Sequence, residues 1–236
     1  EKVLVYGYGA HLIGPGLLVY LDMARWEITL RYRKGMPNFQ DDNVDEDALR
    51  KIKRGFFIEW RVADKYKRSL FDSIDYFLDT NNMDEIKMVS GDGVRAGLKQ
   101  MAHRPFRLVP YFDPGVWGGQ WMKEVCNLDP NKENYAWSFD GVPEENSIYL
   151  DFGNGYIELP AMDLVLYEPK PLLGASVYSR FGAEFPIRFD FLDTMGGQNL
   201  SLQVHPLTEY IHRMFGMAYT QDESYYILDA KEGASV

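Results

Sequence analysis

The sequence predicts an α+β fold, in which a small α/β layer is followed by short strands that form part of a β-barrel or sandwich. Up to about His103, strand-like and helix-like segments alternate, which is typical of strands covered by helices. From Pro105 onward, short aromatic or β-branched runs are separated by Gly, Pro and Asn. The aromatic content of 15% also favours sheet-rich architecture, because flat side chains pack well on pleated surfaces.

The first region opens with two short apolar runs that are typical of buried strands, residues 3–6 and 17–21. Residues 24–33 predict a helix. A polar, acidic stretch over residues 38–47 then leads into a longer helix. We expect Asp45 or Asp47 to cap that helix, because an acid at a helix N-terminus accepts from free N–H groups and complements the dipole.

Helical spacing continues through the middle of this region, where charged residues separate apolar ones: Tyr66, Leu70, Ile74, Phe77 and Leu78. Residues 86–89 predict a third strand, and a closing helix runs to His103. The order of these elements predicts the small α/β layer.

The second region is predicted to consist of short strands at residues 106–109, 147–152, 156–159, 164–167, 200–204 and 224–228. The domain boundary is placed near Arg104-Pro105, which gives a first domain over residues 1–104 and a second over residues 105–236.

Composition limits the partners and the compartment. A net charge of −10 argues against nucleic-acid or anionic-membrane binding, although a few local cations would suffice for a small sugar phosphate. Cys126 is the single cysteine, so no disulfide can form within the chain and a reducing cytoplasm fits best. No signal pattern opens the sequence, and no apolar run reaches the roughly 18 residues of a membrane span. Apolar runs lie close to both termini, from which we expect a fragment of a longer protein.

A candidate metal site lies in the last third of the chain. Gln203 and His205 are separated by one residue, so on a strand both side chains point to the same face. Glu223 begins the next strand-like run and would add a carboxylate. Such a mixed set of N and O donors suits Zn²⁺ or a similar divalent ion, although a lone His on a strand is more often a core residue.

Four motifs in this region resemble class I mannose-6-phosphate isomerases, which are cupin barrels. They are Trp117-Gly118-Gly119, then Arg180-Phe181-Gly182 with residues 185–189, then residues 200–206 (LSLQVHP), and finally Glu223 with residues 226–228. The resemblance covers about residues 105–236 and implies an incomplete cupin-type barrel or jelly roll.

The resemblance implies that Gln203, His205 and Glu223 are ligands of a zinc or other divalent ion, with a fourth ligand expected beyond Val236. It also implies an isomerase that interconverts mannose 6-phosphate and fructose 6-phosphate through an enediolate, with a sugar phosphate as substrate. This fragment alone is expected to be inactive, and the sequence indicates neither the general base nor the oligomeric state.

One departure from that family leaves an alternative open. Where the family has a Lys two residues before the ligand Glu, this chain has Gln221, which can hydrogen-bond a sugar or phosphate but supplies no charge. A non-catalytic or regulatory sugar-binding cupin therefore remains the alternative. Asp190 and Asp193 are set aside as paired acids, because a spacing of three does not place them on one strand face.

The N-terminal region has a weaker resemblance, through residues 18–27 and 53–61, to the later half of a P-loop uridine-kinase-like domain. It implies a partial kinase-like domain whose phosphate-binding loop lies upstream, and a bifunctional protein is the alternative that this resemblance leaves open. A basic cluster could then have faced a nucleotide; its members are Lys51, Lys53, Arg54, Arg61, Lys65, Lys67 and Arg68. A solvated helix face balanced by acids is the alternative interpretation.

Overall fold

The computed structural model describes residues 2–235 and has mixed α and β structure, which confirms the α+β class. The helices are α1 (Arg25–Arg33), α2 (Ala48–Arg54), α3 (Trp60–Leu70), α4 (Gly91–Met101), α5 (Trp121–Val125), α6 (Ala161–Tyr167), α7 (Pro169–Phe181) and α8 (Thr208–Phe215). A π-helical turn, Gly55–Glu59, joins α2 to α3. The strands are β1 (Val19–Asp22), β2 (Tyr76–Asp79), β3 (Lys87–Ser90), β4 (Tyr111–Asp113), β5 (Trp137–Gly141), β6 (Ser147–Asp151), β7 (Tyr156–Pro160) and β8 (Phe189–Leu192).

The chain divides into two compact units, and the first of them is discontinuous. It contains the residues up to Val109 together with Pro143–Phe185, and the second contains Pro110–Val142 together with the residues from Pro186 onward. The sequence placed the boundary near Arg104-Pro105 and treated the rest as one domain. The contacts instead assign β6, β7, α6 and α7 to the first unit, because their apolar side chains complete its core.

The first unit contains two small sheets. β1 pairs with β2 in parallel, β3 pairs antiparallel to β2, and β6 and β7 form a separate antiparallel pair. Both parts of the unit contribute to one hydrophobic core, whose members are Leu70, Phe71, Ile74, Phe77, Val94, Leu98, Ile148, Leu150, Ile157, Leu159, Ala161 and Leu164.

The second unit contains a three-stranded antiparallel sheet in the order β4-β5-β8. The described part of the chain, residues 2–235, contains no closed barrel. Two strands predicted for an incomplete barrel, at residues 200–204 and 224–228, are irregular. Their apolar side chains remain solvent-exposed; Leu202 is 94% exposed and Tyr226 87% exposed, so no burial offsets the entropy of ordering these segments as strands.

Predictions that depend only on residues close together in sequence were correct for a helix, a strand pair and a helix cap. Helix α1 and the β6–β7 pair form close to the predicted positions, and Asp47 caps α2 by accepting from the backbone N–H groups of Leu49 and Arg50. Such a cap contributes about 1 kcal/mol.

Four further local predictions were wrong, and one of them is the strand at residues 106–109, where Val109 alone forms an isolated bridge. Residues 164–167 belong to helix α6, which is buried along most of its length and therefore shows no amphipathic period in the sequence. The helical spacing through Ile74 and Phe77 ends at Leu70, because the chain turns at Ile74 into the extended strand β2. Residues 3–6 are outside any strand. No helix among residues 2–235 has the length and apolar character that crossing a membrane requires.

Candidate functional site

Helix α8 brings the two segments that carry the predicted metal ligands next to each other. Its amphipathic sequence buries Ile211, and Gly216 ends it in the left-handed conformation at φ 65°. The segment before the helix contains Gln203 and His205, and the segment after it contains Glu223. The Thr220 hydroxyl donates to the Pro206 carbonyl over 2.5 Å, which ties the two segments together.

His205 and Glu223 are in direct contact. The distance from His205 Nε2 to Glu223 Oε2 is 2.5 Å, although 18 residues separate the two in sequence. The side chains are 30% and 35% exposed, so both are accessible from solvent. The hydrogen bond from His205, followed by one from Tyr225, lowers the pKa of Glu223, and Glu223 is therefore a carboxylate at neutral pH.

The two predicted amide residues lie on the same segments as this pair. Gln203 is two residues before His205 and Gln221 is two residues before Glu223, and both are solvent-exposed. The structure therefore brings the imidazole and the carboxylate together and leaves the two amides at the surface.

The donor chemistry of the pair fits a divalent metal ion. Imidazole nitrogen and carboxylate oxygen are both ordinary ligands of Zn²⁺, and Glu223 is ionised, as a ligand must be. Among residues 2–235, no group of three His, Cys, Asp or Glu side chains is arranged to hold a metal. A complete site therefore requires an amide such as Gln203, water or substrate as a further ligand.

Asp190 is a residue of this region that the sequence reasoning set aside. It lies on β8, and partial burial together with the negative charge of Glu223 raises its pKa to about 6. The Asp190 carboxyl group therefore keeps its proton to a higher pH than an ordinary aspartate, with a pKa of about 6. Only the fold reveals this raised pKa, because it depends first on burial and then on a charge 33 positions away in sequence.

Asp193, the other set-aside acid, has a structural role. It is 2% exposed, and its carboxylate accepts from the backbone N–H groups of Met122 and Met195, each over 2.9 Å. Gly119 donates to the Asp193 carbonyl, and a Cβ atom at Gly119 would lie 2.1 Å from the Asp193 carboxylate. The backbone of the Trp117-Gly118-Gly119 motif is therefore packed tightly against Asp193 in this unit.

Comparisons with known proteins bear on the N-terminal region. A family model described as a domain of unknown function, DUF8485, matches residues 1–103, which end next to the predicted boundary at Arg104-Pro105. No curated protein and no solved structure matches the chain.

Proposed function

We propose that the second unit carries part of a metal-dependent aldose–ketose isomerase site, acting on mannose 6-phosphate and fructose 6-phosphate. The contact between His205 and Glu223 supports this proposal, since two types of metal ligand meet at the surface from distant positions in sequence. The motif resemblance around both residues supplies the reaction class.

The chain's own residues would hold the ion and present it to solvent. His205 and Glu223 are the ligands that the geometry supports, and Gln203 is the additional ligand that the resemblance implies. A divalent ion bound there supplies Lewis-acid stabilisation of the negative charge that develops on the sugar oxygens when a carbon-bound proton is removed. The proton returns to the neighbouring carbon, so the aldose and the ketose interconvert without a net change in redox state.

Metal binding is the first test. We expect the 236-residue chain to bind one Zn²⁺ in isothermal titration calorimetry. The variants His205→Ala and Glu223→Gln should each bind at least about tenfold more weakly, a loss of about 1.4 kcal/mol. His212→Ala is the matched control, because His212 lies on the same helix–loop region but outside the pair.

Turnover is the second test. The zinc-loaded full-length protein should exchange the C2 proton of mannose 6-phosphate with solvent, as measured by NMR in D₂O, and His205→Ala should abolish the exchange. Equal zinc affinity in the wild type and in both site variants would overturn the metal site, and exchange that is unaffected by His205→Ala would overturn the isomerase.

Gln221 supports a second candidate, a sugar-binding protein without turnover. A neutral amide stands where the resembling family has a cation, and it is exposed beside Glu223. In this case the zinc-loaded full-length protein should bind mannose 6-phosphate in calorimetry without proton exchange at C2. Gln221→Lys should then tighten binding of the phosphate ester relative to mannose, while Gln221→Asn should not.

A further inference from the structure

A cleft in the first unit lies beside the π-helical turn and encloses about 250 Å³. That volume is slightly below the range of roughly 300–1,000 Å³ that is usual for small-molecule sites, so the cleft suits a small ligand. Its walls come from the π-helical turn, α3, α6 and the residues around the end of α7. The side chains that matter here are Phe56, Trp60, Arg61, Lys65, Arg68 and Glu184.

The π-helical turn shapes this cleft. It inserts an extra residue between α2 and α3, and it places Phe56 and Trp60 on the cleft wall with their rings 6.2 Å apart. A Cβ atom at Gly55 would lie 3.0 Å from the Trp60 ring, so this position favours glycine. π-Helical turns are rare and occur frequently at functional sites.

Three cations on α3 face the cleft. Arg61, Lys65 and Arg68 follow one another at intervals of four and three residues, which places them on one side of the helix. None of them forms an ion pair within residues 2–235. The Nε atom of Arg61 is buried without a hydrogen-bond partner, and its guanidinium group lies 5.8 Å from the centre of the Phe56 ring.

Three other members of the predicted basic cluster have partners elsewhere in the first unit. Lys51 donates to the Val44 carbonyl, Arg54 contacts Asp41, and Lys67 is buried between two aspartates. The solvated-face interpretation therefore fails for the buried Lys51 and Lys67, whereas Arg54 is exposed and balanced by acids, as that interpretation expects. Arg61, Lys65 and Arg68 are the members of the cluster that line the cleft.

The cleft also offers groups that recognise hydroxyls and C–H faces. Glu144 and Glu184 line it, and carboxylates accept hydrogen bonds from sugar hydroxyls. Met162 and the rings of Phe56 and Trp60 give an apolar wall, against which the C–H face of a sugar ring can pack. Asp64 lies there too, but its charge is neutralised by Arg25.

We propose that this cleft binds a phosphorylated sugar, with the phosphate on Arg61, Lys65 and Arg68 and the sugar hydroxyls on Glu144 and Glu184. Guanidinium groups match the geometry of phosphate oxygens and bind them through paired hydrogen bonds. This site lies in the first unit and requires no metal, so it does not rest on the function proposed for the second unit.

The test uses the full chain stripped of metal with EDTA and titrated with glucose 6-phosphate in a calorimeter. We expect binding of one molecule per chain, with glucose and inorganic phosphate each at least tenfold weaker. Arg61→Gln and Arg68→Gln should each weaken binding at least tenfold, and Arg68 is solvent-exposed, so its variant keeps the fold even if Arg61→Gln does not. Thermal unfolding of each variant checks the fold.

Two controls separate this site from other effects. Lys99→Gln removes an exposed cation on α4 outside the cleft, and His205→Ala removes the candidate metal ligand of the second unit; both should bind like the wild type. A dissociation constant above about 1 mM overturns the proposal. Wild-type affinity in Arg68→Gln, or equal affinity for inorganic phosphate, overturns it as well.

Discussion

At the scale of single residues, the ammonium group of Lys67 is the centre of a buried charge cluster in the first unit. Its Nζ atom lies 2.7 and 2.9 Å from the two carboxylate oxygens of Asp22 and 2.7 Å from Asp163. Burial opposes the charge of Lys67, but the carboxylates of Asp163 and Asp22 raise its pKa. One cation between two buried acids leaves one negative charge in excess, unless one acid keeps its proton.

Asp163 is the acid that keeps the proton. Burial and the charge of Asp22 raise its pKa well above the ordinary value, whereas Lys67 lowers the pKa of Asp22 despite burial. Asp163 Oδ2 is buried and has no partner as a carboxylate, whereas a protonated Asp163 can donate to Asp22. The cluster is then electrically neutral.

Asp163→Asn should make stability less dependent on pH. The pKa of Asp163 is higher in the folded state than in the unfolded state. The contribution of this carboxyl group to the free energy of unfolding is therefore complete below about pH 4 and declines as pH rises through the folded-state pKa. The free energy of unfolding of the wild type should therefore fall relative to the variant by up to about 1.4 kcal/mol per pH unit. Urea titrations between pH 4.5 and 8 measure this difference.

Asp84→Asn replaces an exposed acid and controls for the loss of one carboxyl group. Its free energy of unfolding should change with pH in the same way as that of the wild type. A constant difference between the wild type and Asp163→Asn would show that Asp163 is ionised throughout.

Lys67→Met should lower the free energy of unfolding by about 3–5 kcal/mol, because it leaves two buried acids without their cation. Lys65→Met, two residues earlier on the same helix and solvent-exposed, should change it by less than about 0.5 kcal/mol. Chemical denaturation at pH 7 compares the two. Similar values for both variants would mean that the cluster does not stabilise the fold.

At the scale of elements, the sequence predicted those helices and strands whose signal is local. Asp47 marks the start of α2 because its side chain satisfies the first free N–H groups, and the alternation in β6 and β7 follows from their one buried face. Helix α6 was missed because it is buried along most of its length, and the π-helical turn was missed because a single glycine carries no sign of it. Convergence of His205 and Glu223 was predicted from strand geometry and from the motif resemblance, and the structure brings the two side chains together although neither segment is a strand.

Gly55→Ala tests whether the π-helical turn constrains this position. In an ordinary helix interior the change stabilises by roughly 0.5–1 kcal/mol, and the φ of −54° at Gly55 permits alanine. Here the new Cβ would meet the Trp60 ring at 3.0 Å, and Trp60 is only 6% exposed and cannot move away easily. We therefore expect a loss of about 1 kcal/mol in urea unfolding, with a change in the near-ultraviolet circular dichroism of tryptophan. An increase in stability would show that the ring shifts freely.

At the scale of the whole molecule, the two units alternate along the chain, and this could not be predicted from the sequence. At Pro105 the sequence changes from alternating strand-like and helix-like segments to short strand-like runs, which predicted two consecutive domains. In the structure, Pro143–Phe185 belongs to the first unit. Unit membership depends on contacts between elements that are far apart in sequence, such as those of α4 with β6 and α6. Local patterns carry no information about which core a strand joins.

This arrangement predicts that residues 2–109 do not fold alone. Ile148, Leu150, Ile157, Leu159 and Leu164 would be missing from the core, so their partners on α3, β2 and α4 would be exposed to water. Joining residues 2–109 to 143–185 through a short Gly/Ser linker should restore a cooperative unfolding transition, because Val109 already pairs with Ser147 across that junction. Circular dichroism during urea titration distinguishes the two polypeptides. A cooperative transition in residues 2–109 alone would mean that β6, β7 and α6 cover a core that is already complete.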